Sequence, residues 1–238
     1  MQQYFTDEIL KEGSEYIFTK EQAHHARDVV RLDHETVRLV DCEGTGWFGE
    51  CEKRGNDFIA VIREKDPRIN EAGIEITLAM ALVRREKFEL ILQKAAELGA
   101  TRIVPFESSR CIVHAKSEKA DKQQKRYESI VLSAAEQCKR NRIPEICPVI
   151  PFAELNEYKS DVSLAAYENA SKESKHISDF DLKESVTVVI GPEGGFSDEE
   201  MEQLVSYGYE PVTLGSRILR AETAAIYACA VIAEVSEK

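Results

Sequence analysis

The spacing of hydrophobic and polar side chains changes partway along the chain. In the first seventy or so residues it is short. Residues 36–41 (TVRLVD) and 57–63 (DFIAVIR) alternate apolar and polar positions, the two-residue period of a half-buried strand. Glycines between them supply turns. One helix is predicted over residues 20–31, because Thr19 and Gln22 have capping-box spacing and Ala23, Ala26, Val29 and Val30 form an apolar side. Short strands around a single helix predict a small barrel. Residues 64–73 (EKDPRINEAG), charged and interrupted by proline, read as a linker.

Beyond the linker the period lengthens. Residues 74–83 (IEITLAMALV) are a long apolar run, as in a strand buried on both faces. A helix follows over residues 86–98, with Phe88, Ile91, Leu92, Ala95 and Leu98 on one side and Gly99 as its stop. Further strands are predicted at 101–106, 162–166, 186–190 and 211–214. A long polar helix is predicted at 116–140 and an alanine-rich one ending near 234. Alternating strands and helices predict an α/β domain with a mostly parallel sheet. The domain boundary then falls at 72/73.

Composition refines this picture. The formal charge of −12 argues at first against a nucleic-acid partner. The charge is unevenly spread, however. Residues 1–70 carry 10 basic and 15 acidic side chains, residues 146–238 carry 7 and 17, and residues 76–145 carry 14 and 9. A net-positive middle segment allows an anionic partner on one face; the plainer reading of 116–126 is a solvated helix face. The start (MQQYFTDE) has early acids and no apolar core of a signal peptide. No apolar stretch reaches membrane-span length. Six scattered cysteines form no C-x-x-C pair, which predicts reduced thiols, no metal site and a cytoplasmic protein.

Several motifs compete. Gly44, Gly46 and Gly49 spell G-x-G-x-x-G, but strand-like residues follow where a dinucleotide site needs a helix, so turn glycines are the expectation. No P-loop is present. His24 and His25 are adjacent and lack companion ligands. The strongest signal is IGPEGGF at 190–196, followed by SDEE at 197–200. A buried strand runs into Gly191, Pro192, Glu193, Gly194 and Gly195, and Ser197 with Glu200 has capping-box spacing. Paired glycines after a strand let backbone approach a ligand, and ligands of open α/β sheets sit at the carboxyl ends of strands. A tight structural turn is the alternative. A second signal, LGSRILRAETAA at 214–225, places Arg217 and Arg220 in an otherwise acidic tail. They either face an anion or neutralise acids such as Glu222.

Together these segments resemble the bacterial 16S rRNA uridine N3-methyltransferases (the RsmE type) of the SPOUT class of RNA methyltransferases. LQKAAELGATRIV at 92–104, Arg110 in the arginine-bearing strand end and EQCKRNRIPEI at 136–146 extend the resemblance over the whole chain. The chain departs from the family pattern at Gln2 and Gln3, where an arginine is usual, at LDHET (32–36), and at Lys139.

The resemblance implies an N-terminal PUA-like β-barrel, residues 1–72, that helps to hold RNA. It also implies a C-terminal SPOUT domain, residues 73–238, with a deep trefoil knot around 164–228 and a homodimer. The implied cofactor is S-adenosyl-L-methionine. It would be bound by Ile190, Gly191, Pro192, Glu193, Gly194, Gly195, Leu214, Gly215, Ile218, Leu219, Thr223 and Ala224. The implied activity is methylation of N3 of a uridine in 16S rRNA, alone or within the small ribosomal subunit. Arg220 is then expected to stabilise the uracil anion, and Glu193 to orient groups or accept a proton. Arg84, Arg85, Lys87, Lys94, Arg110, Arg140 and Arg142 are the expected phosphate ligands. Methylation of a ribose 2′-OH, or a non-catalytic RNA-binding protein on the same fold, are the alternatives.

Overall fold

The structure, a computed structural model, describes residues 1–114, 120–167 and 174–237. The chain forms two compact units, one of residues 1–71 with 135–142 and one of residues 72–134 with 143–238.

The first unit is built on a curled five-stranded sheet. Its strands are β1 (Gln3–Phe5), β2 (Glu15–Ile17), β3 (Thr36–Val40), β4 (Gly46–Arg54) and β5 (Asp57–Asp66), in the order β1-β3-β4-β5-β2. Only the β1–β3 pair is parallel; the register slips at Phe48/Gly49 between β4 and β5. Residues 64–66 continue β5, so the expected linker is shorter than its composition suggested. The predicted capping box is present: the Thr19 hydroxyl accepts from the Gln22 amide, starting α1 (Lys20–His24). The helix then widens into a π-helix, His25–Val30, and ends at Arg31 with φ +64°. Tyr4, Tyr16, Phe18, Val37, Leu39, Phe58 and Ile62 form the apolar core.

A buried polar centre sits beside that core. The side chains of Arg38 and Asp66 are 0% and 1% exposed, and Arg38 Nε donates to Asp66 Oδ2 at 2.7 Å. The rest of the guanidinium donates to Gln3 Oε1, Asn141 Oδ1 and the Lys139 carbonyl. Residues 135–142, remote in sequence, thus close the polar centre of this unit. Gly46 makes room for it, since a Cβ there would lie 2.6 Å from Arg38 Nη2. One glycine of the apparent dinucleotide motif therefore serves packing, and β4 runs where that motif requires a helix.

The second unit is a seven-stranded, wholly parallel sheet. Its strands are β6 (Glu75–Ala81), β7 (Arg102–Glu107), β8 (Glu145–Ile146), β9 (Ile150–Pro151), β10 (Val162–Ala166), β11 (Ser185–Ile190) and β12 (Glu210–Val212). The order is β12-β10-β11-β6-β7-β8, with β9 also on β7. Helices are α2 (Arg85–Glu97), α3 (Ala120–Cys138, whose last four residues belong to the first unit), α4 (Asp198–Tyr207) and α5 (Ala221–Ser236). The expected start of the long helix at 116–119 lies outside the described residues.

Ile76, Leu78, Ala79, Met80 and Ala81 of β6 are all buried, as an apolar run covered on both faces requires. Phe88, Ile91, Leu92 and Ala95 bury the predicted face of α2, which packs on α5. The six cysteines are free thiols, and burial pushes those of Cys51 and Cys229 up to about 12. Among the described residues, no helix is long and apolar enough to cross a membrane.

Candidate functional site

A cavity of about 370 Å³ opens at the carboxyl ends of three neighbouring strands, β12, β10 and β11. Parallel strands all end on the same side, so successive strand-to-helix loops converge there. Ile190 at the end of β11 is followed by Gly191, Pro192, Glu193, Gly195 and Phe196; after β12 come Thr213, Leu214, Gly215, Ser216, Arg217, Ile218, Leu219 and Arg220. Ala166 and Tyr167 close the end of β10, and Ala221 and Ala224 come from the first turns of α5.

Local chemistry shapes the first loop. The ring of Phe196 packs under Gly191, where a Cβ would lie 3.2 Å from it, and stacks on Phe106 with centroids 6.4 Å apart. Gly195 has φ +66°, and its amide donates to the Pro192 carbonyl at 2.9 Å. The loop ends in the predicted capping box. Ser197 Oγ accepts from the Glu200 amide, and Glu200 Oε2 accepts from the Ser197 amide. Backbone groups without side chains in front of them thus face a cavity roomy enough for a drug-sized ligand. A nucleoside-bearing cofactor fits this donor set, with backbone polar groups beside apolar Ile190, Leu214 and Leu219.

Charges gather at the cavity wall. Arg220 is the N-cap residue of α5, is exposed, and makes no side-chain cap hydrogen bond. Neither Arg217 nor Arg220 forms an ion pair with a described residue, so neutralisation of Glu222 does not explain them. Lys87, from the first turn of α2, lies 3.4 Å from Glu193 Oε1 and 3.3 Å from Glu222 Oε2. Tyr167 donates its hydroxyl proton to Asp198 Oδ1 at 2.9 Å, which fixes one wall.

Most of the expected cofactor residues therefore meet at one place. Gly194 and Thr223 are outside the cavity lining; the Gly194 carbonyl turns away to accept from Arg110, and Thr223 faces solvent on α5. Lys87 sits in the cavity wall instead of on a separate phosphate-facing surface. Arg140 needs a correction as a phosphate ligand. Its side chain is 3% exposed and paired with Glu71 at 2.5 Å, within the first unit. A basic segment sum counts such an arginine although burial against Glu71 keeps it from an external phosphate. Arg84 and Arg142 are exposed, Arg85 pairs with Glu89, and Lys94 pairs with Glu97. Sequence reasoning passed over Ala166, Tyr167, Phe196 and Thr213. A strand-end position was the only signal for the first two, because parallel neighbours of β11 had to be known first.

The architecture defines a class: an α/β ligand-binding domain whose cavity is made from strand-end loops. The pattern of an RNA methyltransferase domain matches residues 70–233. The ribosomal RNA small subunit methyltransferase E of Bacillus subtilis strain 168 is 32% identical, with all of this chain and 98% of that protein aligned. The protein of the same name from Mesomycoplasma hyopneumoniae strain 232 is 34% identical over 95% of this chain and 96% of its own. The crystal structure of a ribosomal RNA small subunit methyltransferase E from Neisseria gonorrhoeae, bound to S-adenosyl methionine, superposes with a TM-score of 0.89. It is 30% identical, covering 98% of this chain and 96% of that one. With the domain match spanning both cavity loops, the chain belongs to the ribosomal RNA small subunit methyltransferase E family of RNA methyltransferases.

Proposed function

We propose that this protein uses S-adenosyl-L-methionine to methylate N3 of a specific uridine in the 16S rRNA of the small ribosomal subunit. The observation that carries the reading is the convergence of GPEGGF and LGSRILRAE on one cavity at the carboxyl ends of β10, β11 and β12. The N. gonorrhoeae relative, solved with the cofactor, supports the cofactor assignment.

The cofactor, when bound, supplies an electrophilic methyl on a sulfonium, whose sulfur keeps the electron pair as the methyl leaves. The chain's own residues do the rest. The backbone of 190–195 and 214–219 holds the adenosyl and methionine parts, with Ala224 leaving space at the start of α5. Uridine N3 must lose its proton, which leaves negative charge on the uracil ring. Arg220 meets that charge with charge-assisted hydrogen bonds. An arginine is a poor base, so the proton goes to another group. Glu193, held by Lys87, orients the base or accepts the proton. Arg84, Arg85 and Arg142 contact phosphates, and the target base leaves its stack to enter the cavity.

In this reading residues 1–72 form the PUA-like RNA-holding barrel. Residues 73–238 form the SPOUT domain, knotted around 164–228, and act as a cytoplasmic homodimer. The test is nucleoside mapping by mass spectrometry on 16S rRNA from a deletion strain, before and after treatment with the purified protein. Gain of 3-methyluridine at one position is expected. Gain of a ribose-methylated nucleoside would move the acceptor to the 2′-OH, and no gain on rRNA or subunits would leave a binding protein.

A further inference from the structure

Arg110, in the turn three residues beyond β7, is spent on the cofactor loop, although its place in the basic segment suggested a phosphate ligand. Arg110 Nη1 donates to the carbonyl of Phe196 at 3.0 Å and lies 3.2 Å from the carbonyl of Gly194. These carbonyls belong to the loop whose residues Ile190–Glu193, Gly195 and Phe196 line the cavity. The same turn is tied a second time. The Ser109 amide donates to Glu200 Oε1 at 2.8 Å and the Ser108 hydroxyl to Glu200 Oε2 at 3.2 Å. Glu200 is buried and also accepts from the amide of Ser197 at the loop's end. Residues 108–110 thus form an outer layer that grips the glycine loop by its backbone.

We infer that Arg110 is a positioning residue for the cofactor: it holds the 190–196 loop in its binding shape and leaves phosphates to other residues. A loop with two glycines is entropically costly to order, and a guanidinium bonded to two of its carbonyls reduces the shapes it can take. Pre-ordering of that kind appears as ligand affinity. The inference rests on the proposed cofactor reading.

The test compares wild type, Arg110→Ala and Arg110→Lys. It uses calorimetric titration with S-adenosylmethionine, hydrogen exchange of the cofactor-free protein, and RNA binding at several salt concentrations. In Arg110→Ala, cofactor affinity should fall about tenfold, as expected for loss of a charge-assisted hydrogen bond. Exchange at 193–197 should quicken without cofactor, and the salt slope of binding to a 16S rRNA fragment should stay unchanged. Arg110→Lys, with one donor restored, should fall between the two and keeps the test open if the alanine variant misfolds. Cofactor affinity within twofold of wild type, together with a salt slope lower by about one, overturns the inference and makes Arg110 a phosphate ligand. Unchanged affinity and unchanged slope overturn it as well. If wild type itself does not bind S-adenosylmethionine, the proposed function fails, and faster exchange at 193–197 still reports whether Arg110 orders the loop.

Discussion

The two units bury polar groups for different ends. In the first, Arg38, Asp66, Gln3 and Asn141 are sealed inside and satisfied by one another. In the second, the sheet interior is mostly apolar, apart from buried hydroxyls such as those of Thr77, Ser163 and Thr187, and polar backbone groups collect at strand ends around an open cavity. A closed polar centre cannot bind anything; it makes one packing arrangement far better than its competitors, because any slip leaves a buried charge unpaired. An open one has partners to spare. Function therefore belongs where parallel strands end, and substitutions should separate into those that cost stability and those that cost binding or turnover.

The sharpest break in that comparison is Asp66→Ala, which strands the buried Arg38. It should destabilise the first unit by about 3–5 kcal/mol in denaturant melts. A loss below 1 kcal/mol would show that Arg38 finds water or another partner. On the other side, Arg220→Ala should reduce turnover at saturating RNA by roughly 10²–10³-fold, the scale of removing a group that stabilises developing charge. Its melting point should barely move, since the side chain is exposed and forms no cap. Normal turnover would refute its assignment. Gly191→Ala is intermediate. Its Cβ would press on Phe196 at 3.2 Å, so cofactor affinity should drop about tenfold by calorimetry, with a loss of about 1 kcal/mol in stability.

Two carboxyls in the first unit should answer pH in opposite directions. Burial raises the Glu136 carboxyl to about 7, against 4.5 for the ordinary group. The folded state holds that proton more tightly. Its contribution is therefore full below about 4.5 and is lost as pH climbs through 7. Glu136→Gln should flatten stability between pH 5 and 8. The hydrogen bonds from Arg68 and Arg38 hold Asp66 down at about 2, so its contribution is full above 3.8 and is lost as pH falls toward 2. The smallest effect is expected at the surface of α2 and α3. Arg126→Ala breaks an exposed pair with Glu89 and should cost about 0.5 kcal/mol or less.

Much of this was legible beforehand. The α2 face, the buried β6 run, β10, β11 and both capping boxes follow from period and spacing, because burial on one side leaves a periodic trace. The short strands β1, β2, β8 and β9 were not legible. Two or three residues carry no period, and their pairing partners lie far away in sequence. The π-helical turn at His25–Val30 was missed for a related reason, since it keeps the apolar spacing of an ordinary helix for most of its length.

The sequence by itself determined the longer strands and helices, where two glycine loops interrupt them, and which family the chain resembles. Those properties are local, or are motifs preserved in order along the chain. Only the tertiary structure decided what the charged residues do. Arg140 and Arg110 stand in one basic segment, yet one is buried against Glu71 and the other grips the carbonyls of the glycine loop. Arg220 in the acidic tail faces the cavity. A charge acts through its distance to other charges and to water, and that distance is set by folding, not by position along the chain.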